Sequence, residues 1–292
     1  MLLLSLVSII WGGSFIAARV ALRELSPITL ATIRFILAAA LFVPLLVVSP
    51  RYRAPWRSIP KLTAFGLLAV TFYFIFQYNG VARTSASLSA IVITLSPLVV
   101  VLMSAMFLHE RLSRWQAVGI ILATAGAVLL VTRGSGEVGG NEYWLGVLFL
   151  VLNVLAWGLY NVLGKRALES QHPMTLTAYM TILGALCLLP FAAADGGLAA
   201  LGTASSGAWL AIGYLVVLSS VIAYVAYNYA LRILPASQAG VFQFLNPVAA
   251  SLLAHLLLDE PLTLVTAAGG LMAIAGVYLA NRSADTPQVA PE

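Results

Sequence analysis

A chain of 292 residues that is 61% hydrophobic and only 9% charged lacks the polar side chains needed to cover a water-soluble globule. Its net charge of +5 would suit a nucleic-acid partner if the basic residues formed one patch, but they fall in the loops between apolar stretches, which excludes that reading. A single cysteine, Cys187, excludes an internal disulfide framework and cysteine-based metal clusters, and no cofactor is expected.

Ten apolar stretches follow one another, at 2–22, 28–48, 61–82, 86–107, 115–132, 143–164, 173–193, 208–230, 237–258 and 262–281. Each is close to the about 20 residues that a helix needs to cross the hydrocarbon. Backbone groups in lipid must be satisfied within their own segment, and the period-two alternation of a membrane barrel is absent. The chain is therefore predicted to be an all-α integral membrane protein of ten transmembrane helices. The first stretch lacks a basic leader region and a cleavage site, and its Trp11-Gly12 recurs as Trp157-Gly158, so it reads as a span and not a signal peptide.

That recurrence extends through the chain. At an offset of 146, Pro27, Thr29 and Pro44 fall on Pro173, Thr175 and Pro190; Tyr78-Asn79 falls on Tyr227-Asn228. At an offset of 150, Ser87, Pro97, Glu110, Gly119, Ala123 and Gly126 fall on Ser237, Pro247, Glu260, Gly269, Ala273 and Gly276. The organisation predicted is a first five-span repeat over 1–133, a Gly-rich linker over 134–142, a second repeat over 143–282, and a disordered tail over 283–292. Five is odd, so the second repeat must insert upside down. Arg51, Arg53, Arg57 and Lys61 in loop 2–3 have no basic counterpart in loop 7–8, and Arg111 and Arg114 have none near Asp259-Glu260. The opposed bias suits an inverted repeat with both termini cytoplasmic, in an inner (plasma) membrane.

In chain order, the mid-depth polar and aromatic residues are as follows. Span 1 carries Trp11 and Ser14, and span 2 carries Arg34 about two turns in. Arg34 is expected to snorkel to the outer face, or else to pair with Glu24 or a substrate carboxylate. Span 3 offers Tyr73, Gln77, Tyr78 and Asn79, and span 4 offers Ser96-Pro97. Span 6 offers Trp157, Tyr160 and Asn161. Span 8 offers Tyr224, Tyr227 and Asn228, and span 9 offers Gln243 and Asn246-Pro247.

An apolar wall with a few polar groups describes a small-molecule pocket, although the same residues could pack helix to helix. Trp11, Ser14, Ser96, Trp157, Gln243 and Asn246 are the expected substrate contacts, in a cavity free of charged side chains. Tyr73, Tyr78, Asn79, Tyr160, Asn161, Tyr224, Tyr227 and Asn228 are the expected cavity and gate residues, with Tyr78-Asn79 and Tyr227-Asn228 at opposite faces. Pro97 and Pro247 each remove one helical hydrogen bond, which gives either a packing kink or a break that offers carbonyls to substrate. Trp56, Trp115, Tyr143 and Trp144 suit interface anchoring better. Gly119-x3-Ala123 and Gly269-x3-Ala273 predict that spans 5 and 10 pack together. His255 is expected to be packed or interfacial, the alternative being a proton relay, and Glu110 and Glu260 to be solvated at helix ends. No H-E-x-x-H, phosphate loop, paired aspartates or nucleophile elbow is present, so no enzyme activity is expected, an integral-membrane transferase being the distant alternative.

Trp11-Gly12-Gly13-Ser14-Phe15, the run Tyr227-Asn228-Tyr229-Ala230-Leu231, Leu234-Pro235-Ala236-Ser237, Leu245-Asn246-Pro247-Val248 and Glu260 resemble the drug/metabolite transporter superfamily, specifically its ten-span EamA-type members. Weaker copies are Leu95-Ser96-Pro97-Leu98 and His109-Glu110. The resemblance covers nearly the whole chain. It implies two inverted five-helix repeats around a cavity lined by spans 1, 3, 4, 6, 8 and 9, with 5 and 10 as supports. It further implies export by alternating access of small neutral or zwitterionic metabolites, amino acids first, as in the YddG-like exporters of aromatic amino acids. A broad-specificity efflux protein for neutral apolar compounds is the alternative. The expected partners are a small-molecule substrate and membrane lipid, with a monomeric chain and no nucleic acid.

Overall fold

Among the described residues, which are 1–84, 89, 92–131, 141–258 and 264–282, the computed structural model contains helices and no strand. Ser87, Asp259, Glu260, most of the linker and the tail lie outside them. Helices α1 (Leu2–Ala21) and α2 (Pro27–Val48) come first. Helix α3 joins Ile59–Gly66, a π-helical stretch Leu67–Phe72 and Tyr73–Arg83. Helices α4 (Ser96–Phe107) and α5 (Arg114–Val131) complete the first half. The second half begins with α6 (Asn141–Leu168) and α7 (Pro173–Asp195). Helix α8 joins Ser206–Tyr214, a π-helical stretch Leu215–Ile222 and Ala223–Ile233. Helix α9 joins Ala236–Val241, a 3-10 turn Phe242–Phe244 and Leu245–Leu258, and α10 spans Leu264–Arg282. Eight helical runs among the described residues are long and apolar enough to cross a membrane, and two more, Val92–Phe107 and Arg114–Leu129, are apolar but shorter.

Local chemistry explains the recurring positions. Ser26 caps α2 by accepting the Thr29 N–H at 3.1 Å, with Pro27 in the first turn, where its missing N–H is not needed. Its counterpart α7 starts the same way, on His172 and Pro173, with the His172 ring nitrogen accepting the Met174 N–H at 3.2 Å. The π-helical stretches of α3 and α8 fall on nearly the same repeat positions, and such wide turns are frequent at functional sites. Pro97 lies in the first turn of α4, just past a turn at Leu95, and Pro247 follows the 3-10 turn of α9. Both chains of helical bonds therefore change type beside the proline.

The halves exchange equivalent contacts. A Cβ on Gly12 of α1 would lie 2.8 Å from the Asn246 carbonyl and 2.7 Å from Ala249 Cβ of α9. One on Gly158 of α6 would lie 2.9 Å from Val99 Cγ1 and 2.5 Å from Met103 Sδ of α4. At Gly12 the backbone of α9 itself approaches closely, and at Gly158 the side chains of α4 fill the space that a Cβ would take.

Helices α5 and α10 meet, as the small-residue spacing predicts, and they run antiparallel: Gly119 faces Gly276 and Ala280, while Gly126 faces Gly269 and Ala273. A Cβ on Gly276 would collide with the Ala123 N and the Gly119 carbonyl, backbone atoms that cannot turn aside. Gly276→Ala should therefore cost about 1–3 kcal/mol and lower the unfolding temperature in detergent. Gly213→Ala, where a Cβ meets open space, should leave that temperature unchanged or slightly raised.

Candidate functional site

A cavity of about 550 Å³ runs from mid-depth towards the end of the bundle where α1 and α3 finish and α2 begins. That volume is within the range typical of small-molecule sites. Its wall takes Trp11 and Ser14 from α1, Tyr73 and Tyr78 from α3, and Ser96 and Pro97 from α4. Trp157 of α6, Tyr224 of α8, and Gln243, Asn246 and Pro247 of α9 complete it.

At its inner limit lies an aromatic floor. The Trp11 and Trp157 rings meet edge to face with centroids 5.6 Å apart, and Tyr224 lies 5.6 Å from Trp11. Below the floor, four groups close a ring of hydrogen bonds. The Trp157 indole donates to Gln243 Oε1 at 2.8 Å, Gln243 Nε2 donates to the Tyr227 hydroxyl at 2.9 Å, and that hydroxyl donates to Asn161 Oδ1. Asn161 Nδ2 returns to the Trp157 carbonyl at 2.8 Å. Beside the ring, the Tyr160 hydroxyl donates to Asn228 Oδ1 at 2.7 Å, and Asn228 Nδ2 donates to Thr177 Oγ1 at 2.8 Å. Tyr160, Asn161, Tyr227 and Asn228 are fully buried and do not line the cavity. They are the plug beneath it.

Asn79 belongs to neither group. Its amide donates to the Ile75 carbonyl and its Oδ1 accepts from Arg83, which places it outside the cavity wall. Asn246 differs in the opposite sense: its Oδ1 is buried and has no hydrogen-bond partner, although the residue lines the cavity.

Two expectations are corrected. Arg34 does not snorkel outward. It is 4% exposed and lines the cavity, with Nε donating to Ser220 Oγ at 2.7 Å and Nη2 to Ser219 Oγ at 2.9 Å. Its guanidinium lies 4.7 Å from the Phe74 ring centroid and 5.1 Å from that of Phe35. Hydroxyls from the π-helical turn of α8 and two aromatic faces satisfy it more closely than a stretch to the surface would. Glu24 is not its partner, because that carboxylate accepts the Ser205 hydroxyl at 2.6 Å and the Ser205 N–H at 2.7 Å, bonds that hold it below the usual carboxylate range. Contrary to expectation, the cavity is thus not free of charged side chains, since Arg19 and Arg23 also line it.

Glu110 is the second correction. Instead of being solvated, it accepts the N–H groups of Ala236 and Ser237 at 2.7 and 2.9 Å, capping α9 at the plugged end. Lys165 binds the same corner, donating to the Leu231, Arg232 and Leu234 carbonyls at 2.8–3.1 Å. The signals in the sequence were a charge inside an apolar span and a Ser219-Ser220 pair in an otherwise apolar run; nothing near Glu110 in the chain points to the Pro235-Ala236-Ser237 helix start that it caps. His255 is exposed, as are Trp56, Trp115 and Trp144.

A bundle of apolar helices enclosing a solute-sized cavity, open towards one end and plugged at the other, is the build of a multi-pass membrane transporter. The EamA-like transporter family model matches residues 1–132 and 144–282, and the chain belongs to that family. An uncharacterized transporter of Archaeoglobus fulgidus is 33% identical over 96% of this chain and 98% of its own. The probable terminal-alkyne amino-acid exporter of Streptantibioticus cattleyicolor is 29% identical over 96% and 92%, and the inner membrane transporter YedA of Escherichia coli is 27% identical over 84% and 78%. One crystal structure, 21% identical, superposes with a TM-score of 0.79 over 97% of this chain and 98% of that one, which shows the fold.

Tyr227→Phe would leave Asn161 Oδ1 and Gln243 Nε2 buried without their shared partner. We expect a loss of about 1–3 kcal/mol in unfolding free energy. Tyr278→Phe, on a residue 67% exposed, should give no change in the same thermal melt.

Proposed function

We propose that this protein exports amino acids across the cytoplasmic membrane by alternating access. The observation that carries the reading is the asymmetry of the cavity, open towards one end and stopped at the other by hydrogen bonds among uncharged side chains. Such a plug can part and re-form without moving a bare charge through hydrocarbon. With the N-terminus cytoplasmic, as the loop charges favour, the cavity faces outward and Glu110 and Lys165 hold the cytoplasmic end closed. Ten spans arranged as two inverted repeats account for the exchanged contacts of α1 with α9 and α6 with α4, and for the antiparallel pairing of α5 with α10. In this scheme, the inward-facing state interchanges the roles of the halves.

Aromatic walls suit a hydrophobic side chain, while Arg34 and the free Asn246 oxygen suit a zwitterionic head group. One relative carries the name of an amino-acid exporter, which agrees with that choice. The competing reading, efflux of neutral apolar compounds, is favoured by the aromatic lining alone and leaves the buried guanidinium without a use. Proteoliposomes preloaded with unlabelled phenylalanine should accumulate labelled phenylalanine by exchange, at a rate well above protein-free vesicles. Exchange restricted to neutral apolar compounds, with none for any amino acid, would support the competing reading.

Removing the cap on α9 should bias the cycle. Glu110→Ala leaves two helix-start N–H groups unpaired in the outward-facing state, at a cost of about 1 kcal/mol. The inward-facing population should rise several-fold, measured as faster labelling from the cytoplasmic side of a cysteine placed at Ala236. An unchanged labelling rate would reduce Glu110 to a passive cap.

A further inference from the structure

Arg34 is the one buried charge among the described residues that lines the cavity, and every polar neighbour it has is neutral. Two are the Ser219 and Ser220 hydroxyls, and the third is the Tyr78 phenol. The ion pair recorded among the described residues, Arg83 with Glu142, is elsewhere. A permanently cationic guanidinium kept in a low-dielectric wall without a carboxylate is costly, and serine hydroxyls and phenyl faces offset only part of that cost. No carboxylate among the described residues reaches it, which leaves the cavity as the side from which a full negative charge can approach.

We propose that Arg34 is the carboxylate anchor of the transport site, so that the substrates are monoanionic or zwitterionic carboxylates. This rests on the amino-acid export proposed above and gives it a specificity-determining residue. The planar fork of a guanidinium matches the two oxygens of a carboxylate, which a lysine at the same depth would not. A phosphate ester would also fit the fork, but its second charge would need another cation at that depth. The other arginines lining the cavity are Arg19, near the end of α1 and about 12 Å of helix rise beyond Trp11, and Arg23, in the turn that follows α1; both sit towards the open end. The acceptor that an ammonium group would use is Asn246 Oδ1: the residue lines the same cavity, and its buried oxygen has no hydrogen-bond partner, so a turn of the side chain would offer it to substrate without breaking a bond.

Serine hydroxyls from the π-helical turn make the anchor part of the moving machinery. Ser219 holds Arg34 through its side chain, while its carbonyl accepts the Trp11 indole N–H at 3.3 Å. A carboxylate competing for the guanidinium therefore acts on the turn that also holds the floor, which couples occupancy to the plug. Arg34 itself contacts substrate, and Ser219 is a positioning residue.

The test uses the full chain in lipid nanodiscs and four probes, read by calorimetric titration: phenylalanine, phenylalaninamide, 3-phenyllactate and phenyl phosphate. Wild type should bind phenylalanine on the order of a hundredfold more tightly than phenylalaninamide, and should bind phenyllactate more tightly than the amide. Arg34→Gln should lose that discrimination, binding phenylalanine and its amide equally weakly, and Arg34→Lys should retain a part of it. Equal wild-type affinity for phenylalanine and phenylalaninamide, or discrimination preserved in Arg34→Gln, would overturn the anchor while leaving amino-acid export standing. Arg34-dependent binding of phenyllactate without binding of phenylalanine would keep the anchor and remove the amino-acid reading. Preference for phenyl phosphate, or no binding of any carboxylate, would overturn the proposal. Should Arg34→Gln fail to fold, the wild-type probe series and Arg34→Lys decide the matter alone.

Discussion

The ring that joins Trp157, Gln243, Tyr227 and Asn161 is the contact on which the arrangement of this protein turns. It gathers three helices at one depth and satisfies the polar groups through which it does so. In hydrocarbon that satisfaction is compulsory, because no water is available to take an unpaired amide or hydroxyl. The floor above it is aromatic for a related reason. Tryptophan and tyrosine fill space with rigid apolar bodies and still present one polar atom to a partner. A plug of this kind separates an open cavity from the far side with hydrogen bonds between uncharged side chains.

Charge is used differently at the two depths. At the plugged end, Glu110 and Lys165 meet the exposed backbone groups of helix termini, where donors and acceptors are left over by helix geometry. At mid-depth the charge is Arg34, and it meets side-chain hydroxyls from a π-helical turn. The wide turn matters because it sets two consecutive serines, Ser219 and Ser220, where both can accept from one guanidinium. Close packing by Gly12 and Gly158 brings α1 to α9 and α6 to α4, so that the half-broken segments beside Pro97 and Pro247 border the cavity instead of lipid.

Much of this was legible in the sequence. Apolar runs of spanning length located the helices to within a few residues, because hydrophobicity and length are local properties that lipid enforces directly. The start of α4 is the exception, where part of the expected span lies outside the described residues. The meeting of α5 and α10 followed from Gly119, Gly126, Gly269 and Gly276, since small residues at that spacing have a single main use in membranes. What could not be read was direction. Arg34 at two turns from a helix end can reach either the surface or the interior, and the choice depends on hydroxyls some 185 positions away in the chain. Asn79 and Asn228 are repeat partners, yet one bonds its own helix and the other joins the plug, because a single conformation places the two halves in different surroundings. Glu110 looked like a solvated helix end for the same reason: the start of α9, which it caps, is distant in sequence.

If the cavity opens to the outside and the plug shuts it from the cytoplasm, solvent must reach the two from different sides. In a Cys187→Ser background, Ala250→Cys places a thiol in the cavity wall and Ala230→Cys places one beside the plug, where Ala230 is buried. A membrane-impermeant thiol reagent added to intact cells should label Ala250→Cys, more slowly in the presence of a transported amino acid, and should leave Ala230→Cys unlabelled. Labelling of Ala250→Cys from inside-out vesicles alone would show that the cavity opens to the cytoplasm instead.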